Sequence, residues 1–242
     1  MENRIRIKWF DELDSTNSEA LRHISEYDNL SVLAAVNQTA GRGQRGNRWL
    51  SSPGDNLTFS LVVKPSGFAA SDFMALTFLA TLTVRDWLRS EGAAAVIKWP
   101  NDIYVRGKKI CGMLIENGLD GGVLVHSVIG IGLNLNQTAF PGELVNPTSL
   151  KRLTGHAYDL RETLLSLCRA LEERLPTLGS PEGRSSLHAA YQDGLFQSGL
   201  LRPYRDLRTG EGFEGTIQGV TYDGRLQIDD RFFSFKEVGY IL

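Results

Sequence analysis

Apolar residues along the N-terminal part of the chain recur with two different periods. Short runs, in which apolar residues alternate with polar ones or follow one another directly, are typical of strands. Longer stretches with an apolar residue every three or four positions are typical of amphipathic helices. The short runs predict strands at residues 5–10, 32–36, 56–64 and 94–99, and the longer period predicts helices after residue 17 and over residues 71–92.

Polar residues and glycines indicate where the predicted helices begin and end. Ser15 or Thr16 is the N-cap candidate of the first helix, because a hydroxyl can accept a hydrogen bond from the first turn. Ser71 is expected to cap the second helix, and Gly92 is expected to end it. The apolar face of the second helix is interpreted as core packing.

Beyond residue 102 the chain predicts strands joined by tight turns. Gly112, Gly130 and Gly132 fall inside these strands, where the missing side chain lets a ligand or another backbone approach closely. The pattern is that of an antiparallel meander, with strands predicted at residues 103–106, 109–116 and 123–135.

The C-terminal third changes from helices to short strands. The Asp223-Gly224 pair is a hairpin signal between two of these strands. The whole pattern predicts an α+β protein, a mixed or antiparallel sheet flanked by helices, with residues 1–198 as the main domain and residues 199–242 as a small barrel-like one. The helices are predicted at residues 149–154, 160–175 and 182–194, and the strands at residues 204–207, 215–220, 225–228 and 232–236.

Composition places the chain among ordinary globular proteins and narrows its partners. Hydrophobic residues make up 42% of the 242 residues and charged residues 22%. A net charge of -2 argues against a nucleic-acid partner. The 2 cysteines and the absence of an apolar leader predict a cytoplasmic protein. No apolar run is long enough for a membrane span. The 4 histidines lack the spacing of a metal site.

The most unusual stretch is a basic loop, residues 38–49, with the sequence Q-T-A-G-R-G-Q-R-G-N-R-W. Three glycines let its backbone fold closely around a ligand, and three arginines indicate an anion. Read literally, Gly41, Gly43 and Gly46 spell the dinucleotide fingerprint G-x-G-x-x-G. No helical period follows Gly46, and the next residues end in a Pro-Gly breaker, so the sequence excludes a Rossmann site.

A second stretch, K-W-P-N-D at residues 98–102, ends a predicted strand. The Trp-Pro pair stiffens the chain and removes a backbone donor, so the polar side chains beside it point in fixed directions. Lys98 is therefore a candidate functional residue, although a lysine at the end of a strand is usually a solvated charge.

Taken together, these stretches resemble the biotin protein ligases, which activate biotin with ATP and attach it to a lysine of a carrier protein. The motifs follow one another in the order that the family has, and a small SH3-like barrel at the C-terminus is also a family trait. They are S-T-N at residues 15–17, the basic loop, K-W-P-N-D at residues 98–102, Lys109 with G-M-L-I-E at residues 112–116, and G-I-G-L-N-L-N at residues 130–136.

The resemblance implies a role for each motif residue. Ser15, Thr16 and Gln38 would contact the ureido end of biotin, and Lys109 would lie at its carboxylate. Arg42 and Lys98 would hold the phosphate, while Trp49 and Asn134 would address the adenine. The remaining members of the implied binding site are Asn17, Gly41, Gly43, Gln44, Asn101, Gly112 and Gly132.

The implied reaction fits the residue types. A carboxylate that attacks the α-phosphate of ATP brings two anions together, so cations such as Arg42, Lys98 and Lys109 would offset their repulsion. Asp102 is either the base for the acceptor lysine or a structural turn residue. The polyphosphate calls for Mg²⁺, held mainly by phosphate oxygens and water.

Two features depart from the family pattern or stay open. Gln44 stands where the family usually has a second arginine, which leaves open how strongly the adenylate is retained. The first motif begins at Ser15, so no DNA-binding helix-turn-helix is expected before it. A monomer and a homodimer both remain open, and so does the identity of the carrier.

Two rival functions are compatible with parts of the sequence. A lipoate ligase or octanoyl transferase shares a similar fold, and a transferase would use a nucleophile such as Cys111. A buried structural thiol is the commoner explanation for a cysteine between Ile110 and Gly112. A non-enzymatic biotin-binding protein would need the pocket but not Lys98 together with Arg42.

Overall fold

A mixed seven-stranded sheet forms the centre of the molecule, with strand order β1-β2-β3-β7-β6-β5-β4. A computed structural model describes residues 5–241, apart from the side chain of Arg45. Strands β1 and β2 pair in parallel and every other neighbouring pair is antiparallel, which confirms the mixed sheet and the meander. The strands are β1 Arg6–Leu13, β2 Ser31–Gln38, β3 Leu57–Val63, β4 Ala95–Lys98, β5 Asp102–Val105, β6 Lys108–Asp120 and β7 Val123–Leu133.

Helices cover both faces of this sheet, which explains why all of β3 is buried and apolar along most of its length. On one face the first helix packs against β2, β3 and β7. On the other face the second helix lies between the sheet and two later helices, so it is buried nearly all round. The helices are α1 Thr16–Arg22, α2 Met74–Ser90, α3 Leu150–Thr154, α4 Leu160–Arg174 and α5 Pro181–Asp193.

The start of α2 differs from the sequence prediction, and its end agrees. Ser71 does not cap the helix, because it lies in a separate 3-10 turn, Ala70–Asp72. The backbone N–H of Ala70 donates to the carbonyl of Gly122 at 2.9 Å, so a tertiary contact with the β6–β7 turn holds this segment. Gly92 follows the last turn with a φ of 83°, as expected for a helix terminator.

The C-terminal part is a five-stranded antiparallel sheet of order β11-β10-β9-β8-β12. It is consistent with an SH3-like fold, but the expected barrel is not closed. Both edge strands have only three residues and offer few groups for a closing ladder. The strands are β8 Leu201–Asp206, β9 Gly212–Val220, β10 Leu226–Ile228, β11 Arg231–Phe233 and β12 Val238–Tyr240, the last of which the sequence did not predict.

The C-terminal sheet is hydrogen bonded to the main part of the molecule. The indole of Trp99 donates to the carbonyl of Gly224 at 2.9 Å. The Gln192 amide oxygen accepts from the backbone N–H of Val220 at 3.1 Å. The division into domains at residues 1–198 and 199–242 stays a prediction. None of the described helices has the length and apolar character needed to cross a membrane.

Candidate functional site

A cavity of about 340 Å³ lies where the central sheet meets the C-terminal sheet. Its walls come from the start of α1, the end of β2, the basic loop, the β4–β5 turn, the middle of β6 and β7, and β12. All of the predicted site residues line it except two, Gly41 and Asn134. Motifs that are far apart in the sequence therefore converge on one site.

Hydroxyl and amide groups form one end of the cavity. The Gln38 Oε1 atom accepts from the backbone N–H of Thr16 at 2.8 Å and lies 3.2 Å from the Thr16 hydroxyl. The Ser60 hydroxyl lies 2.7 Å from that of Thr16. Ser15 is buried beside them as the N-cap of α1, and its side chain makes no capping hydrogen bond. This end presents hydroxyl and amide groups suited to a neutral polar ligand.

Asn17 lies at the same end, but its amide is bonded within the protein. Its Nδ2 donates to the Leu114 carbonyl at 3.1 Å and to Glu116 at 2.9 Å. Its Oδ1 lies so close to β7 that a Cβ on Gly130 would be only 2.2 Å away. The glycine is therefore needed for this close approach. Asn17 is placed to fix the floor of the cavity.

Arg42, the predicted phosphate ligand, pairs with a carboxylate in this structure. Its guanidinium donates to both oxygens of Glu116, at 3.0 Å and 2.7 Å. The arginine side chain is 42% exposed and the glutamate side chain 25%. Because of this fork geometry, the basic loop is tied to the middle of β6. The sequence motif included Glu116 but gave it no role.

Trp49 lies directly on the glycines of β6 and β7. A Cβ on Gly132 would be 2.3 Å from its indole ring, and a Cβ on Gly112 would be 3.1 Å from it. Gly41 lies behind the ring, where its carbonyl accepts from the Trp49 backbone N–H at 3.0 Å. Gly41 thus shapes the loop that carries Trp49 and does not line the cavity.

Asn134 is buried next to this region. Its Nδ2 donates to the Thr148 carbonyl at 3.0 Å, while its Oδ1 is buried without a partner among the described residues. The Trp49 indole N–H is likewise buried and without a partner in residues 5–241. Buried polar atoms of this kind usually have partners, so both are candidates to bond a ligand.

Two lysines enter the cavity from strands on either side of β5 and are held differently. The Nζ of Lys109 forms a 2.7 Å ion pair with Asp102. Lys98 lies between the rings of Tyr104 and Tyr240, with its Nζ 5.0 Å and 4.6 Å from their centroids. Burial lowers the pKa of Lys98 below its usual value, although the nearby Asp102 carboxylate raises it.

Asn101 supports the β4–β5 turn, which directly follows Lys98. Its Nδ2 donates to the carbonyl of Met113, and its own carbonyl accepts from the Met113 backbone N–H at 3.1 Å. Asn101 thereby fixes the β4–β5 turn against β6. Asp102 is half-buried and bonded to Lys109, so its position suits an electrostatic partner of that lysine.

The charge of the cavity differs from that of the chain. Within the described part of the molecule, one carboxylate lines the cavity, that of Asp102. The chain as a whole carries a net charge of -2. The cations that line the cavity are Arg42, Arg48, Lys98, Lys109 and Lys236. The arrangement can hold a strongly anionic ligand next to a neutral polar one.

Sequence reasoning missed several residues of this site. Ser60 lies within a buried strand and carried no signal apart from a polar residue in an apolar run. Tyr104 fell within a predicted strand, and Tyr240 fell outside the predicted elements. Neither was linked to the site, because nothing in the nearby sequence indicates a contact with a cation. Gly43 and Gln44, two residues of the predicted site, line the cavity.

Cys111 is fully buried within β6, as the structural interpretation of this thiol predicted. Burial raises the pKa of the Cys111 thiol, so little of it would be thiolate near neutral pH. A buried, protonated thiol is a poor nucleophile. The geometry therefore argues against a transferase that uses Cys111.

The fold is a mixed sheet flanked by helices, and the basic loop lines its cavity. Residues 9–134 match the model of the Biotin/lipoate A/B protein ligase family. The chain is 35% identical over 176 residues to the biotin--[acetyl-CoA-carboxylase] ligase of Paracoccus denitrificans. The match covers 69% of this chain and 72% of that relative. The chain belongs to the Biotin/lipoate A/B protein ligase family.

Further similarities support this assignment. The bifunctional ligase/repressor BirA of Escherichia coli is 35% identical over 136 residues, and the match covers 55% of this chain and 42% of that relative. The chain thus spans less than half the length of this relative. The biotin protein ligase of Aquifex aeolicus in complex with biotin and ATP superposes with a TM-score of 0.75 at 26% identity, covering 98% of this chain and 95% of that one.

Proposed function

We propose that this chain activates biotin with ATP to biotinyl-5'-AMP and transfers the biotin to a lysine of a biotin carrier domain. The observation that carries the proposal is the cavity, in which five cations and one carboxylate lie beside a cluster of hydroxyl and amide groups. Biotin offers a neutral ureido ring and one carboxylate, and ATP adds the polyphosphate. The names of the similar proteins support the same reaction.

In this proposal Thr16 and Gln38 bind the ureido ring, with Ser15 beside them. Lys109 lies at the biotin carboxylate, and Lys98 and Arg42 hold the α-phosphate that the carboxylate attacks. Cations on both reactants reduce their mutual repulsion and stabilise the charge that grows on the phosphate in the transition state. Proximity in one cavity adds to the rate, because both reactants are already oriented.

The adenine is proposed to bind near Trp49 and Asn134. The buried Oδ1 of Asn134 can accept from an exocyclic amine, which adenine carries. The Trp49 ring offers an aromatic face of the kind that stacks on a base. Arg42 would have to exchange Glu116 for phosphate when the nucleotide binds.

Mg²⁺ belongs to the same proposal. No group of three or more His, Cys, Asp or Glu side chains within the described residues is arranged to hold a metal ion. Asp102 is paired with Lys109, which leaves little protein ligation. The ion would therefore be bound by phosphate oxygens and water, where it would neutralise phosphate charge. Two further points stay predictions: a carrier domain as acceptor and a cytoplasmic location. Monomer and homodimer both remain open.

The direct test is incubation with biotin, ATP, Mg²⁺ and a biotin carrier domain, followed by the intact mass of the carrier. We expect the mass of one biotinyl group to be added, and we expect pyrophosphate release to need both biotin and Mg²⁺. An unchanged carrier mass together with no pyrophosphate release would rule out the proposal. Lipoate or octanoate in place of biotin separates the related ligases.

Lys98→Ala is expected to lower the rate of biotin-dependent pyrophosphate release by about 100-fold or more, because a preorganised cation at the phosphate is lost. Biotin affinity, measured by calorimetry, should change little, since Lys98 lies away from the hydroxyl and amide end. Lys108→Ala is the matched control, because Lys108 is exposed on β6 and does not line the cavity. Full activity of Lys98→Ala would contradict the assignment.

A further inference from the structure

Lys98 is held in a way that differs from the other cations of the site. Lys109 and Arg42 each bond a carboxylate, at 2.7 Å in both cases. Lys98 forms no ion pair with any carboxylate in residues 5–241, and aromatic rings flank it on two sides. The charged groups that face it are Asp102 on β5 and Lys109 on β6.

The two rings come from different parts of the fold. Tyr104 lies on β5, where it pairs with Val96, two residues before Lys98 on β4, and it is only 4% exposed. Tyr240 lies on β12, the edge strand of the C-terminal sheet, and lines the cavity. Tyr204 packs edge-on against the Tyr240 ring at 5.5 Å, which fixes its orientation.

An aromatic clamp and a carboxylate partner leave a lysine in different states. A carboxylate occupies ammonium hydrogens and offsets the positive charge, so an incoming phosphate must compete with it. An aromatic face attracts the ammonium through the ring quadrupole, and does so more strongly where water is excluded. The charge and the N–H donors remain available to an anion.

We propose that Tyr240, together with Tyr104, is a positioning residue that holds Lys98 toward the anion-binding part of the cavity. The C-terminal sheet thereby completes the active site through one aromatic ring. The hydroxyl of Tyr240 is buried and has no partner in the described part of the chain, so the ring is the group that acts on Lys98. The identity of the anion rests on the function proposed above, whereas the clamp itself rests on the geometry.

Removing the ring tests this arrangement. Tyr240→Leu is expected to slow biotin-dependent pyrophosphate release about ten-fold, which corresponds to the loss of one desolvated cation–π contact. The loss should fall on kcat and the KM for ATP and leave biotin affinity unchanged. Tyr240→Phe retains the ring and should recover most of the lost rate.

Phe232→Leu is the matched control, because Phe232 is 42% exposed on β11, at the opposite edge of the same C-terminal sheet, and does not line the cavity. Thermal unfolding of each variant shows whether the sheet is folded. An unchanged rate in Tyr240→Leu would overturn the proposal. A Tyr240→Phe variant as slow as Tyr240→Leu would overturn it as well, because the hydroxyl would then be the acting group.

A chemical readout separates this inference from the proposed function. Brief acetylation of the full chain with acetic anhydride, read by peptide mass spectrometry, reports the accessibility of each lysine. Lys98 should react more slowly than the exposed Lys108, and Tyr240→Leu but not Tyr240→Phe should speed its reaction several-fold. These rates need no biotin chemistry, so they test the clamp even if the wild-type chain releases no pyrophosphate. Equal Lys98 labelling in all three chains would show that the ring does not cover it.

Discussion

Trp49 packs directly against two glycines of the site. The ring lies where a side chain on Gly132 would have to be, so glycine at this position is a steric requirement of the contact. Trp49 in turn lies close to Lys109, whose Nζ is 5.8 Å from the ring centroid. Gly132 on β7 therefore determines where the Trp49 ring lies, and through the ring it affects the surroundings of Lys109.

Gly132→Ala is expected to displace Trp49, since the new methyl would lie 2.3 Å from the ring. Overpacking of this kind costs about 1–3 kcal/mol, and we expect ATP affinity to fall about ten-fold in consequence. Biotin affinity should fall less, because Lys109 at the proposed biotin carboxylate lies 5.8 Å from the ring centroid whereas Thr16 and Gln38 bond each other at the ureido end. Isothermal titration with each ligand measures both effects.

Gly142→Ala provides the control for this substitution. A Cβ on Gly142 would meet no atom within 4 Å, and the residue is exposed in a loop. It should leave both affinities unchanged. If Gly132→Ala bound ATP as tightly as the wild-type chain, Trp49 would have no role in nucleotide binding.

At the level of elements, the basic loop behaves as a narrow hairpin attached to β6. Inside the loop, the Gly43 N–H donates to the Asn47 carbonyl at 2.7 Å. A short 3-10 turn, Gln44–Gly46, forms its tip. Among the described side chains of the loop, Arg42 joins it to the sheet through its ion pair with Glu116. In the function proposed above, Arg42 would leave Glu116 for phosphate, so this pair holds the loop in its ligand-free position.

Glu116→Gln is expected to loosen the ligand-free loop, because one side of the fork to Arg42 is lost. The pair is partly exposed, so its contribution is about 1 kcal/mol or less, and hydrogen exchange across the basic loop should rise about three-fold. Asp120→Asn, at the exposed far end of the same strand, should leave the exchange unchanged. Identical exchange in Glu116→Gln and the wild-type chain would mean that other contacts hold the loop.

At the level of the whole molecule, the C-terminal sheet is both a separate sheet and part of the site wall. Trp99 and Gln192 bond it to the main part, and Tyr240 covers Lys98. The change from one sheet to the other lies near residue 198, where the domain boundary is predicted. The hydrogen bonds and the shared cavity favour cooperative unfolding across it.

We expect a single calorimetric unfolding transition for the whole chain. Phe233→Ala, which removes a fully buried ring from the C-terminal core, should destabilise that transition by about 3 kcal/mol without splitting it. Phe232→Ala on the same strand is the control, because its ring is partly exposed. A separate early transition in Phe233→Ala, confined by hydrogen exchange to residues 199–242, would instead establish an independent domain.

Local patterns of the sequence determined much of the fold and the family. Strands, helices and most turns followed from apolar periods and from glycines such as Gly92 and Gly224, because these signals act between residues close in the chain. The order of the short motifs was sufficient to indicate a biotin protein ligase, since each motif carries its chemistry within a few residues. Charges in the basic loop and in K-W-P-N-D also predicted an anion site.

Only the tertiary structure decided which groups these charges contact. Arg42 bonds Glu116 across 74 positions, and Lys98 lies against Tyr240 from the other end of the chain. Ser71 lost its cap position to a contact with the β6–β7 turn. Such partners are chosen when distant segments pack together, and no local period or motif records which side chains then meet. The sequence thus determined the chemical groups of the site, and the folded chain determined their pairing.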